Sequence, residues 1–236
     1  TLFCFVYAGG NPAFFQRWRR HLGDAINVFP IIYPSRAAEV GAYGHKRLVE
    51  YLADQVTWAT TSSFAFFGHS MGAILAFDVA AQLFRRRATL PQHLFVSAAL
   101  PLEYDRSDLW AAFKRTASVE DDLRIMLGRL GGTPADLPAE RLKSATEALA
   151  NDMALFATRT VDPRLRLPVP LTVISGADDA LANPDSMGAW REYTERDCRF
   201  AVFPGAHFYL HKQEAEVTEL IRETLVGAAP VDPGTG

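Results

Sequence analysis

Residues 64–80, FAFFGHSMGAILAFDVA, place Ser70 at the centre of a G-x-S-x-G pattern between a short aromatic run and a segment of helical periodicity. A serine there sits on a sharp strand-to-helix turn. Glycine at 68 and 72 is what such a turn needs, because a side chain on either flank would collide with the neighbouring strand or helix. The hydroxyl is then held toward solvent, and the unpaired N–H groups at the helix start stand behind it, ready for negative charge. Attack on a carbonyl carbon is the chemistry this arrangement suits.

A serine hydroxyl is a weak nucleophile at neutral pH, so a base must take its proton and a third group must hold that base in one tautomer. The expected chain order is serine, acid, histidine. Of the six histidines, only His207, in FAVFPGAHFYL, follows a late strand pattern in a loop of small residues and precedes the last helical segment. His69 adjoins the serine, so its ring must point elsewhere. His21, His45 and His93 precede the acid or lie on polar segments. His211 follows His207 by four positions, but no glutamate or third ligand accompanies the pair, which argues against a metal. The acid is expected where TVISGADDALANP, residues 172–184, leaves its strand. The turn beginning at Gly176 favours Asp179, with Asp178 turned to solvent or capping the turn. The other placement is one strand earlier, at Glu103 or Asp105.

The oxygen that becomes negative during such a reaction needs two convergent N–H donors. One is the amide of Met71, directly after the serine; the other is expected from YAGGNPAFF, residues 7–15, with Ala8 as the donor and Gly9 and Gly10 allowing close backbone approach.

Short apolar runs at residues 2–7, 28–33, 64–67, 94–99, 171–175 and 199–203 alternate with helical patterns. That alternation predicts an α/β fold, a mostly parallel sheet flanked by helices. The near-continuous apolarity of the runs predicts strands buried on both faces, with the site at their carboxyl ends. Between Ala99 and Leu171 lie roughly 70 residues, where a crossover helix with its loops needs only a few tens. Apolar residues recur at helical spacing in 109–113, 119–130 and 142–156, and Gly131–Gly132 is a helix stop. Residues 103–165 therefore read as a helical lid, with Leu123, Met126, Leu127, Leu149 and Met153 facing the core or an acyl passage. The Pro/Gly-rich stretch 227–236 reads as a flexible tail, and 1–236 as a single domain.

The composition is that of a globular chain: 49% hydrophobic, 22% charged, with a formal net charge of −3 over 236 residues. That charge gives no general attraction to nucleic acid or to an anionic membrane. No apolar stretch reaches the roughly 20 residues of a membrane span and no secretory signal is visible, so the cytoplasm is the default. The chain opens almost at once on a strand, as one would whose natural N-terminus lies upstream. Cys4 and Cys198 form neither a C-x-x-C nor a zinc-ligand pattern, and Cys4 reads as a small buried hydrophobe.

With FCFVYAGGNPAFFQRW, IIYPSR, FFGHSMGAILAFDVA, SGADDALANP and FPGAHFYL in this order, essentially the whole chain resembles the stand-alone type II thioesterases that accompany polyketide and nonribosomal peptide synthases. The resemblance implies an α/β-hydrolase fold with a helical lid. It implies hydrolysis of acyl chains from the phosphopantetheine arm of an acyl or peptidyl carrier protein, by a monomer without metal or redox cofactor. By matching motifs it assigns Ser70, Asp179 and His207 to a catalytic triad, and Met71 and Ala8 to the oxyanion hole. The chain departs from the family pattern at ALPLEY, after FVSA, and in the loop after Arg36. Both lie near the rim and bear on acyl-chain preference and carrier contact. Arg17, Arg19 and Arg20, then Lys114 and Arg115, are the basic residues expected to receive an acidic carrier. A carboxylesterase or lipase-like hydrolase on oxygen esters would use the same triad, a macrocyclising thioesterase would share it too, and a non-catalytic synthase-docking protein would not need it.

Overall fold

In a computed structural model, residues 1–33, 44–60, 62–101, 139–160, 162 and 164–227 are described. Among them six strands form one sheet: β1 (Leu2–Phe5), β2 (Val28–Pro30), β3 (Ala65–His69), β4 (Leu94–Ser97), β5 (Leu171–Gly176) and β6 (Cys198–Phe203). Their order is β2-β1-β3-β4-β5-β6, and every pairing is parallel. The register aligns the carboxyl ends, with Phe5 opposite Gly68, His69 opposite Ser97 and Gly176 opposite Phe203. The loops carrying Ala8, Ser70, Asp179 and His207 therefore leave one edge of the sheet. The chain runs outward from β1 to β2 and then returns to lay β3 on the other side of β1. The serine emerges at this reversal, where open α/β sheets bind their ligands.

The helices are α1 (Arg19–Leu22), α2 (Gly44–Ala59), α3 (Met71–Arg85), α4 (Ala139–Ala157), α5 (Pro184–Met187) and α6 (Glu214–Val226). Helix α2 buries Leu48, Val49, Leu52, Ala53 and Val56, one stripe at helical spacing. Helix α3 is apolar on nearly every side and lies in the core, as such a sequence must. The segment 142–156 read as helical falls within α4, where Leu149 is buried and Leu155 and Phe156 pack against the core. The lid residues 103–138, with Leu123, Met126 and Leu127, lie outside the described residues, as do the side chain of Met153 and the tail from 228.

Strands β1, β3, β4 and β5 are buried throughout, as continuous apolar runs require. Phe3, Phe5, Phe66, Phe67 and Phe77 are each under 2% exposed, and burying a side chain of this size contributes about 1.5–3 kcal/mol. The edge strands differ from the expectation of burial on both faces: Phe29, Phe200 and Val202 remain substantially exposed. Among the described residues both strands end the sheet, with a neighbour on one side only, and apolarity alone does not distinguish an edge from a centre. Arg191 partly compensates by laying its guanidinium over the Phe200 ring.

His93 is buried at the start of β4, its Nε2 2.8 Å from the Thr172 hydroxyl. Burial, reinforced by the nearby Arg199 charge, pushes its pKa down to about 4. Below about pH 6.5 the unfolded chain binds a proton there that the folded chain refuses, so this stabilisation is complete above that pH and is lost toward pH 4. At roughly 1.4 kcal/mol per unit, His93 should account for a loss on the order of 3 kcal/mol over that window. Urea unfolding of His93→Gln should show a correspondingly shallower fall between pH 6.5 and 4; an unchanged slope would contradict the assignment.

Candidate active site

Strand β3 ends at His69, and α3 begins at Met71, leaving Ser70 alone to reverse the chain. It does so at φ 55° and ψ −125°, a backbone region that costs on the order of 1–3 kcal/mol for a residue with a Cβ. The glycines explain how the turn is held. A Cβ at Gly68 would stand 2.3 Å from the Gly72 carbonyl oxygen, and one at Gly72 would stand 2.2 Å from the carbonyl oxygen of Phe5. Helix α3 thus rests backbone to backbone on the ends of β3 and β1, and the Ser70 N–H donates to Ser97 O on β4 at 2.8 Å.

A third glycine brings the other partners together. A Cβ on Gly176, at the end of β5, would come within 2.4 Å of Gly205 O and 2.6 Å of Ala206 O. The loop before His207 therefore lies directly on the loop bearing the aspartates, pinned by Ala177 N to Phe203 O and Asp178 N to Gly205 O. His207 Nδ1 is 2.9 Å from Asp179 Oδ2, and His207 Nε2 is 3.0 Å from Ser70 Oγ. Asp179 Oδ1 accepts the Leu181 and Ala182 amides at 2.9 and 3.0 Å. Burial pushes the Asp179 carboxyl upward, but the His207 hydrogen bond and charge and the two amides outweigh it, so its pKa falls below the usual value. An ionised Asp179 accepts a proton-bearing Nδ1, which leaves Nε2 to accept the Ser70 hydroxyl. Asp178 is exposed, as expected. Glu103 and Asp105 lie outside the described residues.

The loop after β1 closes as a tight turn, with Gly10 N donating to Tyr7 O at 2.9 Å and Gly9 at φ 72°. Positive φ at the third position alone marks a type II turn, for which glycine is the suitable residue. Gly9 N donates to Asp152 Oδ2 on α4. Among the described residues the Ala8 and Met71 amides carry no hydrogen bond, and the contact of Gly72 with Phe5 and Val6 keeps their two elements side by side.

The thioesterase-domain family model matches residues 1–225. The chain belongs to the thioesterase family. Its parallel sheet and Ser70 turn are those of an α/β-hydrolase, and it is a thioester hydrolase. The gramicidin S biosynthesis protein GrsT of Aneurinibacillus migulanus is 30% identical over 230 residues, covering 95% of this chain and 88% of that protein. The human medium-chain S-acyl fatty acid synthase thioesterase is 29% identical, covering 89% and 80%. Among solved structures, the RedJ thioesterase from the prodiginine biosynthetic pathway of Streptomyces coelicolor superposes with a TM-score of 0.83 at 33% identity, covering 95% and 89%.

The thioesterase site holds more than the sequence motifs indicated. Beneath His207 runs a buried polar chain in which His69 Nδ1 lies 2.7 Å from Ser97 Oγ, itself 2.6 Å from Tyr209 OH. Burial first, then the His207 and His211 charges, push the His69 pKa well below that of a free imidazole. His69 is therefore a neutral ring 5.3 Å from the His207 ring. Nothing in the sequence tied Ser97 or Tyr209 to it. Asp152 was likewise unforeseen, since an acid in a helical lid reads as a solvated face. Of the basic residues expected to receive a carrier, Arg17 and Arg20 both pair with the buried Glu214 of α6, at 3.2 and 3.1 Å, while their own side chains stay substantially exposed, and Arg19 donates to Val28 O. They tie the segment after the β1 loop to the last helix. Lys114 and Arg115 lie outside the described residues.

The two adjacent aspartates should separate sharply. Asp179→Asn should lower kcat on an acyl thioester by up to about 10⁴-fold by misdirecting the His207 tautomer, whereas Asp178→Asn, on the surface, should stay within about twofold. Steady-state kinetics of the purified variants decide it; equal losses, or a loss at Asp178 alone, would contradict the geometry.

Proposed function

We propose that this thioesterase releases acyl groups from the phosphopantetheine arm of an acyl or peptidyl carrier protein, clearing aberrant or stalled chains from a polyketide or nonribosomal peptide synthase. One observation carries the chemical part: the continuous Asp179–His207–Ser70 hydrogen-bond chain, 2.9 and 3.0 Å at its two links. The pathway part is supported by relatives named for gramicidin S and prodiginine biosynthesis. On this reading the chain is a single domain that works as a monomer in the cytoplasm beside its synthase. No helix among the described residues is long and apolar enough to cross a membrane.

His207 Nε2 takes the Ser70 proton as Oγ bonds to the thioester carbon. The carbonyl oxygen, now negative, is held by the Ala8 and Met71 amides. The intermediate collapses, the carbon–sulfur bond breaks, and the proton on His207 passes to the departing thiolate. Asp179 stabilises the transient imidazolium throughout. Water then attacks the acyl-Ser70 ester, giving its proton to His207. Breakdown of the second intermediate returns that proton to Ser70 Oγ and frees the carboxylic acid.

The test is intact-mass measurement of an acylated carrier protein incubated with the enzyme. The wild type should remove the acyl mass and leave the free phosphopantetheine thiol, and Ser70→Ala should be slower by roughly 10⁴–10⁶-fold. An oxygen ester of equal acyl length should be the poorer substrate. Retention of more than about a tenth of the rate by Ser70→Ala would overturn the mechanism, and preference for the oxygen ester would move the assignment to a carboxylesterase.

A further inference from the structure

Asp152 is 3% exposed, and its Oδ2 accepts the Gly9 N–H at 2.8 Å. A carboxylate this far from water is costly unless it is hydrogen-bonded, and here one of its bonds goes to the main chain of the loop after β1. The amides of that loop are divided among three fates. Gly10 N–H folds back on Tyr7 O, Gly9 N–H goes to Asp152, and Ala8 N–H has no partner among the described residues. Type I and type II turns differ in the orientation of the peptide between their second and third residues, here Ala8–Gly9. Glycine at the third position tolerates both orientations. Only the observed one points the Gly9 N–H at Asp152; the other would turn the Ala8 carbonyl toward the carboxylate, oxygen against oxygen.

Asp152 is itself held in place. At the C-terminal end of α4, Thr158 Oγ1 accepts the His45 N–H of α2 at 2.8 Å, and Phe156 meets the His45 ring edge-on. Just beyond, Arg159 grips Asp78 of α3 through two bonds, Nε to Oδ2 at 2.5 Å and Nη2 to Oδ1 at 2.6 Å. Asp78 lies seven residues along the helix whose first amide is Met71. Both amides assigned to the oxyanion are therefore fixed relative to one body: Met71 by the start of α3, and the Ala8 turn by α4 clamped to the same helix.

We propose that Asp152 is a positioning residue: by anchoring the Gly9 N–H it holds the Tyr7–Gly10 turn, and with it the Ala8 N–H of the preceding peptide, in place, and so completes the oxyanion hole only while α4 is seated on α2 and α3. This rests on the hydrolase reading of Ser70 given above. Its effect is exerted on the transition state, because the loop amide meets full negative charge only there.

The experiment compares the full chain with Asp152→Ala, Asp152→Ser and Asp152→Asn, using an acyl N-acetylcysteamine thioester. Affinities are also measured for the acyl trifluoromethyl ketone, which adds to Ser70 as an anionic hemiketal, and for the product acid. The Ala and Ser variants should lose about 10–100-fold in kcat, short of the 10²–10³ typical of deleting a donor outright, with KM within about twofold. Ketone affinity should fall by the same factor and acid affinity should hold. Asparagine, whose Oδ1 accepts the same N–H, should return kcat to within about threefold of wild type. Amide exchange in the wild type provides a measurement that needs no variant to fold: Gly9 N–H should exchange at least about tenfold more slowly than Ala8 N–H. The proposal is overturned by a folded Ala variant with wild-type kcat, by a kcat loss that ketone affinity does not follow, by Asn as slow as Ala, or by equal exchange at Gly9 and Ala8. Any of these alongside an inactive Ser70→Ala would leave the hydrolase reading standing, whereas an active Ser70→Ala would remove that reading itself.

Discussion

The backbone of α3 lies so close to the ends of β3 and β1 that no Cβ fits at 68 or 72. With the strand and helix fixed that tightly, a single residue must turn the chain, and Ser70 adopts a positive φ to do so. The strain is offset by the packing it makes possible, because the apolar helix is buried along its length against the sheet. Three features of the site follow. The hydroxyl projects from the carboxyl edge of the sheet, the Met71 amide opens the helix immediately behind it, and the β1 loop is held beside that amide. The same device recurs at Gly176, where absence of a side chain lets the His207 loop settle on the Asp179 loop. Site geometry here is set by backbone contacts rather than by long flexible side chains, the more rigid way to hold reacting groups.

The polar groups around the site are sorted by charge state. Asp179 is held ionised by three donors, while His69, one residue before the serine, is kept neutral by burial and by its imidazole neighbours. A second cation beneath His207 would oppose the imidazolium that must form when Ser70 gives up its proton. The Ser97 and Tyr209 hydroxyls meet the buried His69 ring with neutral hydrogen-bonding groups, and Tyr209, itself deeply buried, is pushed toward its protonated form. Charge is thereby concentrated on the Asp179–His207 dyad.

How much of this was legible in the sequence depended on the range of the interaction. The Ser70 turn could be read because its steric demand falls on residues two positions away, and His207 because the fold imposes chain order. Asp179 was separable from its neighbour because the Gly176 turn brings the later residue to the histidine loop. The apolar runs mark the position of each of these six strands but not which of them are edges, since Phe29, Phe200 and Val202 look no different in sequence from central apolar residues. The Ser97–His69–Tyr209 chain, the Gly9–Asp152 bond and the capture of Arg17 and Arg20 by Glu214 join residues far apart along the chain. Their partners are chosen by tertiary packing, and no local pattern encodes them.

The central claim is that the hydroxyl held in this strained turn becomes covalently acylated. Rapid quench of the enzyme with a slowly deacylating acyl thioester, followed by digestion and mass spectrometry, tests it directly. The account predicts a stoichiometric acyl adduct on the peptide containing Ser70, forming in a burst no slower than turnover. Turnover with no adduct, or an adduct mapped to another residue such as Cys198, would contradict it.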